Sequence, residues 1–271
     1  MIVDLDTLVA VIPDGAKIAI AKDTSGAAIA ATYALIERGV RGLYLICVPV
    51  GGLQADLLIG AGCVSTIETS ALSLGEYGPA PRFAAALKGG SLKIHDSTCP
   101  AIYAGLQAAE KGIPFIPLRG LIGSDLLAQR EDWKVIDNPF APGDKIVALA
   151  AIRPDFALFH APLADRAGNV FIGRERELLT MAHASAQTLV TVEAITDEDL
   201  FDDPALAGSV VPALYVSHIA PAKRGAWPLA LARHYPDDAN RLSDYAAAAR
   251  SDEGFAKFIQ AWDLERSGAT Q

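Results

Sequence analysis

Cysteine is scarce in this chain of 271 residues. There are three, Cys47, Cys63 and Cys99, an odd number with no CxxC pair. A disulfide framework and a paired-thiolate zinc site are therefore not expected. Histidine is also thin: five residues, at 95, 160, 183, 218 and 234, without metal-ligand spacing. Each reads best as a satisfied structural side chain, with His160 set apart because it closes an apolar run. Positive charge is in deficit, the net charge being −9. Nucleic acid and anionic membranes both require a basic face, so neither is expected as a partner. An anionic small ligand answers only to local charge and stays open. No apolar run reaches the length of a membrane span. The opening MIVDLDTLVAVIPDG has no positive n-region, so no signal peptide is expected. Phosphate-loop, dinucleotide and serine-elbow patterns are missing. These absences lead to the expectation of a soluble cytoplasmic protein without a metal or resident cofactor.

What is present is a chain that is 51% hydrophobic and long enough to bury its own core. KIAIA at 17–21 is a strand, 27–38 an Ala-rich helix ended by Gly39, and GLYLICV at 42–48 a second strand. A strand that is apolar throughout is buried on both faces, which predicts a parallel sheet with helices on both sides. A helix over 54–60, a strand over 63–67 and a helix over 83–88 follow. Residues 5–12 read as a short helix, 145–152 and 156–160 as strands, and 164–169 as a hairpin turn into 170–172. Further on come a helix over 175–184, a strand over 188–192, a short helix over 198–201 and a strand-like run over 210–219. A pair of helices spans 240–261, with the last residues frayed. Residues 130–143 read as polar and irregular. No linker or composition shift divides 1–271, which predicts one domain.

The most informative stretch is IHDSTCPAIYAGLQAAEKGIPFIPLRGLIGSDLL at 94–127. A short strand reaches Ile94, small oxygen-bearing residues precede Pro100, and a helix runs to Lys111 and stops at Gly112. IPFIPL at 113–118 reads as a buried strand. The unit predicts two loops at the carboxyl ends of neighbouring strands, where ligands bind in open α/β sheets.

Candidate site residues sit in such loops. Lys22, Asp23 and Thr24 follow the first strand and open a helix, as an anion site or an ordinary turn. Gly51 and Gly52 end the second strand, letting a ligand approach the backbone or making a tight turn. Glu68 and Glu76 flank a long Gly- and Pro-rich loop over 68–81, and a carboxylate there could act as a general base, although most exposed glutamates do not. Thr98 lies beside Cys99 ahead of the helix. Arg119 precedes Gly120 in the second loop; it either pairs with Asp125 as a clasp or meets a phosphate or carboxylate.

Several stretches resemble the A (alpha) chain type of family I coenzyme A-transferases, particularly the glutaconate CoA-transferase branch. They are Pro13-Asp14-Gly15 before a strand, GIPFIPLRGLIGSDLL at 112–127, ALAAIRPDFALFHAPLADRAGNVFI at 148–172 and SDEGFAKFIQAW at 251–262. The resemblance implies a NagB/RpiA/CoA-transferase-like α/β fold, a three-layer sandwich with a mainly parallel sheet. It implies coenzyme A as substrate rather than cofactor, with an acyl-CoA and a carboxylate as the exchanging pair. It also implies a B-type CoA-transferase partner, in a heterodimer or heterotetramer, whose glutamate is the nucleophile, forming an acyl anhydride and then a glutamyl-CoA thioester. The B-type Ser-Glu-Asn-Gly stretch is absent here. Two departures stand out. Ala21-Lys22-Asp23 replaces the family's Gly-Gly-Phe, so Lys22 and Asp23 are placed to contact a polar acyl group. Cys99 replaces a polar residue facing the thioester, and is either an inert buried thiol or a nucleophile whose pKa the helix N-terminus lowers. The alternatives to transfer are half of a ring-cleaving acyl-CoA hydrolase of the same fold, and a non-catalytic chain that binds CoA thioesters.

Overall fold

The structure is a computed structural model that describes the backbone of residues 1–268 and the side chains of residues 1–262; the fraying expected of the last residues falls on positions outside the described ones. In chain order the elements are α1 (Leu5–Ala10), β1 (Lys17–Ala21), α2 (Ile29–Arg38), β2 (Leu43–Val48), α3 (Leu53–Gly60), β3 (Val64–Thr69), α4 (Pro81–Gly89), β4 (Lys93–Asp96) and α5 (Cys99–Glu110). They continue with β5 (Phe115–Leu118), α6 (Leu126–Gln129), β6 (Trp133–Asp137), β7 (Lys145–Ala150), β8 (Phe156–Asp165), β9 (Val170–Phe171), α7 (Arg176–Ala184) and β10 (Gln187–Thr196). The last are β11 (Val210–Val211), β12 (His218–Pro221), α8 (Ala239–Ala248) and α9 (Asp252–Gly268).

Seven strands form a parallel sheet in the order β12-β10-β8-β1-β2-β3-β4. The far half of β8 outruns β1, and there β9 pairs with it antiparallel, with β11 on β9. Period-two alternation sends Ile18, Ile20, Leu43 and Leu45 to the face covered by α1–α4. Ala19, Ala21, Ile46 and Val48 go to the face covered by α5 and α7. This is the expected three-layer sandwich with a mainly parallel sheet. Outside it, α8 and α9 pack on α2 and α3 through Tyr33, Leu57, Tyr245, Phe258 and Trp262.

The stretch at 94–127 departs from the expectation. β5 does not join the parallel sheet beside β4; it lies in a separate antiparallel sheet, β5-β7-β6, that packs on the outer side of α5 through Trp133, Val147 and Leu149 against Ala101 and Ala104. Pro114 and Pro117 carry the reason: proline cannot donate to a ladder and is confined to edge strands. The apolar 145–150 run is the central strand of this small sheet, and the polar stretch at 130–143 supplies its third strand, β6, instead of being irregular throughout. Residues 198–201 form a turn rather than a helix, and 210–219 divides into two short strands.

Candidate functional site

Parallel strands end together, so the loops after β1, β2, β3 and β4 gather at one edge. Strands β1 to β4 step outward one way and β8, β10 and β12 the other, so the edge lies at the sheet's topological switch point. A cleft of about 620 Å³ opens there. It is lined by Lys22, Asp23, Thr24, Gly51, Gly52 and Glu76, six of the expected site residues. Its remaining walls are largely aliphatic, from Val50, Leu53 and Leu74, and from Leu229 and Leu242 far along the chain.

Asp23 is the most constrained group. Its Oδ2 accepts the Leu53 N–H at 2.9 Å, so the carboxylate seats on the N-terminus of α3. Oδ1 is buried with no hydrogen-bond partner. Gly52 makes the seat possible, since a Cβ there would fall 2.1 Å from Asp23 Oδ2. Burial pushes the Asp23 carboxyl up to about 6; the α3 amides oppose this and the Asp56 charge adds to it.

Lys22 points towards the N-terminal turn of α7, where its Nζ meets Glu177 Oε1 at 2.8 Å. The buried Ser25 Oγ lies 2.6 Å from Glu177 Oε1 and 2.9 Å from Glu175 Oε2. Burial works against both charges of the Lys22–Glu177 pair, yet their mutual attraction holds the lysine above and the carboxyl below its ordinary range. Tyr103, one turn along α5 from Cys99, is pushed up by burial and then by the Glu177 charge. Gly26 lets this loop lie against β8. Its φ is +82°, a Cβ there would fall 2.1 Å from the His160 carbonyl oxygen, and the His160 N–H donates to the Gly26 carbonyl at 2.7 Å.

Cys99 is exposed rather than buried. Thr98 is the cap of α5, its Oγ1 accepting the Ala101 N–H at 3.3 Å, which leaves Cys99 on the outer face of the first turn. Its Sγ lies 3.1 Å from Ser70 Oγ, a hydroxyl and not a base; that hydroxyl also donates to the Pro49 carbonyl at 2.8 Å.

The remaining expected residues stand elsewhere. Glu68 is buried, with Oε1 on Arg130 at 2.7 Å and Oε2 on the Tyr44 hydroxyl at 2.9 Å, so both oxygens are engaged away from the cleft. Arg119 does not pair with Asp125. Its guanidinium meets the Asp144 carboxylate with two nitrogens, one at 2.6 Å, beside the small sheet, and neither it nor Gly120 lines the cleft. His160 lies within β8, not at its end, and is fully buried: Nε2 is 2.7 Å from Glu193 Oε1 and Nδ1 is 2.9 Å from Thr191 Oγ1. Among the described residues no group of three His, Cys, Asp or Glu could hold a metal ion. No helix among them is long and apolar enough to cross a membrane.

Sequence reasoning missed Ser70, Tyr103 and the α7 glutamates, and it offered Ser25 as a cap in the loop after β1 where the structure turns its hydroxyl to Glu175 and Glu177. Only the i, i+4 spacing of Cys99 and Tyr103 on one helix carried a local signal. The edge can hold and orient a polar head with an aliphatic chain; of the residues that line it, the Tyr77 hydroxyl donates to Asp237 Oδ2 at 3.1 Å.

A model of the coenzyme A transferase family matches residues 2–220. The chain is 30% identical over 251 residues to the A subunit of glutaconate CoA-transferase from Acidaminococcus fermentans, covering 86% of this chain and 78% of that protein. The crystal structure of that transferase superposes with a TM-score of 0.89, covering 96% of this chain and 88% of the other at 27% identity. The A subunit of 3-oxoadipate CoA-transferase from Pseudomonas knackmussii is 30% identical over 253 residues, covering 91% of this chain and 87% of that one. The crystal structure of a cysteine-to-serine variant of the decarboxylase AibA/AibB is similar at a TM-score of 0.87 and 30% identity, covering 97% of this chain and 98% of that one.

Proposed function

The chain belongs to the coenzyme A transferase family, and on that premise we propose that it acts as the A-type half of a two-subunit enzyme that moves coenzyme A between carboxylic acids. One observation carries this reading: the cleft gathers groups that bind and orient, while neither candidate glutamate is set up for the chemistry of transfer. Glu68 is locked by Arg130 and Tyr44, and Glu76 stands exposed at the cleft wall. A B-type partner then supplies the carboxylate. That carboxylate attacks the thioester carbonyl, expelling the CoA thiolate and leaving an acyl anhydride. The thiolate attacks the enzyme's own acyl carbon, releasing the first acid and leaving a glutamyl-CoA thioester. The same two steps in reverse load the second acid.

In this scheme the A-type chain seats the acyl group. Gly51 and Gly52 admit close approach to the backbone, Lys22, Asp23 and Thr24 line the loop after β1, and loop amides at the carboxyl edge face the developing oxyanion from one side. Cys99 lies beside the edge as a thiol without a base and is a contact residue rather than a nucleophile. Arg119 and Gly120 follow the end of β5 in the outer sheet, where Arg119 pairs with Asp144, and lie outside the acyl seat. An acyl-CoA substrate and three free thiols fit a cytoplasmic setting.

The test is reconstitution. Mixed with its B-type partner, the chain transfers CoA from an acyl-CoA to labelled acetate, and alone it is inactive. Release of free CoA without labelled acetyl-CoA identifies a hydrolase instead. Cys99→Ser retains the rate to within about threefold; a loss near the 10²-fold of a missing nucleophile or acid–base group restores a catalytic thiol. Light scattering on the mixture distinguishes heterodimer from heterotetramer.

A further inference from the structure

We propose that the cleft takes an uncharged aliphatic acyl chain and discriminates against one ending in a second carboxylate, because this chain's own carboxylates already occupy the places where that group would be held. The proposal rests on reading the cleft as the acyl seat.

A second carboxylate entering the cleft needs a cation or a set of free backbone amides. The amides at the start of α3 face the cleft, and Asp23 fills them: the Leu53 N–H donates to Asp23 Oδ2 at 2.9 Å. Gly52 has no side chain to obstruct that seat. Lys22 lines the cleft, but its ammonium is held by Glu177 at 2.8 Å, and Glu177 is itself backed by the Ser25 hydroxyl at 2.6 Å. The other lining cation, Arg174, is a solvent-exposed side chain at the mouth with Glu175 at 3.3 Å. Three carboxylates line the same cleft, Asp23, Glu76 and Asp237. Between them lie the aliphatic walls of Val50, Leu53, Leu74, Leu229 and Leu242. Such walls favour methylenes, and a terminal carboxylate placed there would be desolvated next to like charge.

The matched probes are the non-transferable thioether analogues of hexanoyl-CoA and adipyl-CoA, equal in chain length and differing in the terminal group. Binding is measured by calorimetry on the complex with the B-type partner. The hexanoyl analogue is expected to bind at least about tenfold tighter, in the range that charge mismatch readily produces. Asp23→Gly frees the α3 amides and is expected to shift the ratio of the two affinities about tenfold towards the adipyl analogue. Asp23→Asn keeps the side chain seated without its charge and moves the ratio the same way by less, which covers a misfolded glycine variant. Equal or tighter adipyl binding by the native chain, or a ratio that neither variant moves, overturns the proposal. If the preference holds but no CoA reaches labelled acetate, the transferase reading fails and this one stands. If CoA reaches hexanoate and adipate equally well, the reverse is true.

Discussion

At the residue scale, this chain spends its buried charges on holding loops in place. Glu68 and Arg130 have side chains only 2% and 3% exposed. Removing one partner strands the other in a low-dielectric site, so Arg130→Met should lower unfolding free energy by about 3–5 kcal/mol. Pairing it with Glu68→Gln should recover most of that loss in urea titrations. Glu193 is a second such centre. Burial raises its pKa, but donors from His160, the Arg224 and Gly225 amides and the Tyr235 hydroxyl outweigh it and bring it to about 2. A depressed carboxyl contributes stability that is present above its unfolded value of 4.5 and lost as pH falls towards 2. At about 1.4 kcal/mol per pKa unit, and discounted for the side of the carboxylate that meets solvent, the loss is about 2 kcal/mol. Asp23 has the opposite sign. Its raised pKa means the fold binds the proton more tightly, so stability declines as pH rises from 3.8 to about 6. Urea midpoints across this acid range should show both slopes, with Glu193→Gln flattening the acid limb and Asp23→Asn the other.

At the scale of elements, the junction of the loop after β1 with α3 decides the shape of the cleft. Gly52→Ala puts a methyl into the Asp23 carboxylate. The seat is then lost, at about the 0.5–2 kcal/mol of a missing helix cap. Combining it with Asp23→Gly should be less costly than the two changes summed, a coupling that a double-mutant cycle in urea measures. The helix from 99 was legible because Thr98 and Pro100 are a cap and a first-turn residue by chemistry. The strands β1 and β2 were legible because KIAIA and LYLICV are apolar on both faces. Strand β5 was not placed correctly by its pattern, since a short apolar run does not say which sheet it enters; its two flanking and internal prolines were the available sign of an edge.

At the scale of the whole molecule, the cleft is closed by residues more than 200 positions from the loop after β1. Leu229 and Leu242 reach it because α8 and α9 pack on α2 and α3, with Tyr33 stacked on Trp262 at 4.0 Å between ring centroids. Trp227 stacks on the same indole at 4.8 Å. Trp262→Ala should destabilise the chain by about 3–5 kcal/mol, the usual range for a buried aromatic. It should also loosen binding of the hexanoyl-CoA analogue, seen by calorimetry. An unfolding loss without any effect on binding would show that the tail helices do not position that wall.

The amino-acid sequence by itself determined the fold class and pointed to six of the residues that line the cleft, in the loops after β1, β2 and β3. Those follow from local rules: strand patterning, caps, and the common polarity of parallel strands. Family membership was also legible, in the blocks at 112–127 and 148–172. Only the tertiary structure decided that Glu68 is locked, that Arg119 is held by Asp144 beside the outer sheet, that Cys99 is exposed, and that Asp23 fills the start of α3. Each of these depends on a partner distant in sequence, Arg130, Asp144, Ser70 or Leu53, and a side chain's partner across the fold is not a property of its neighbours in the chain.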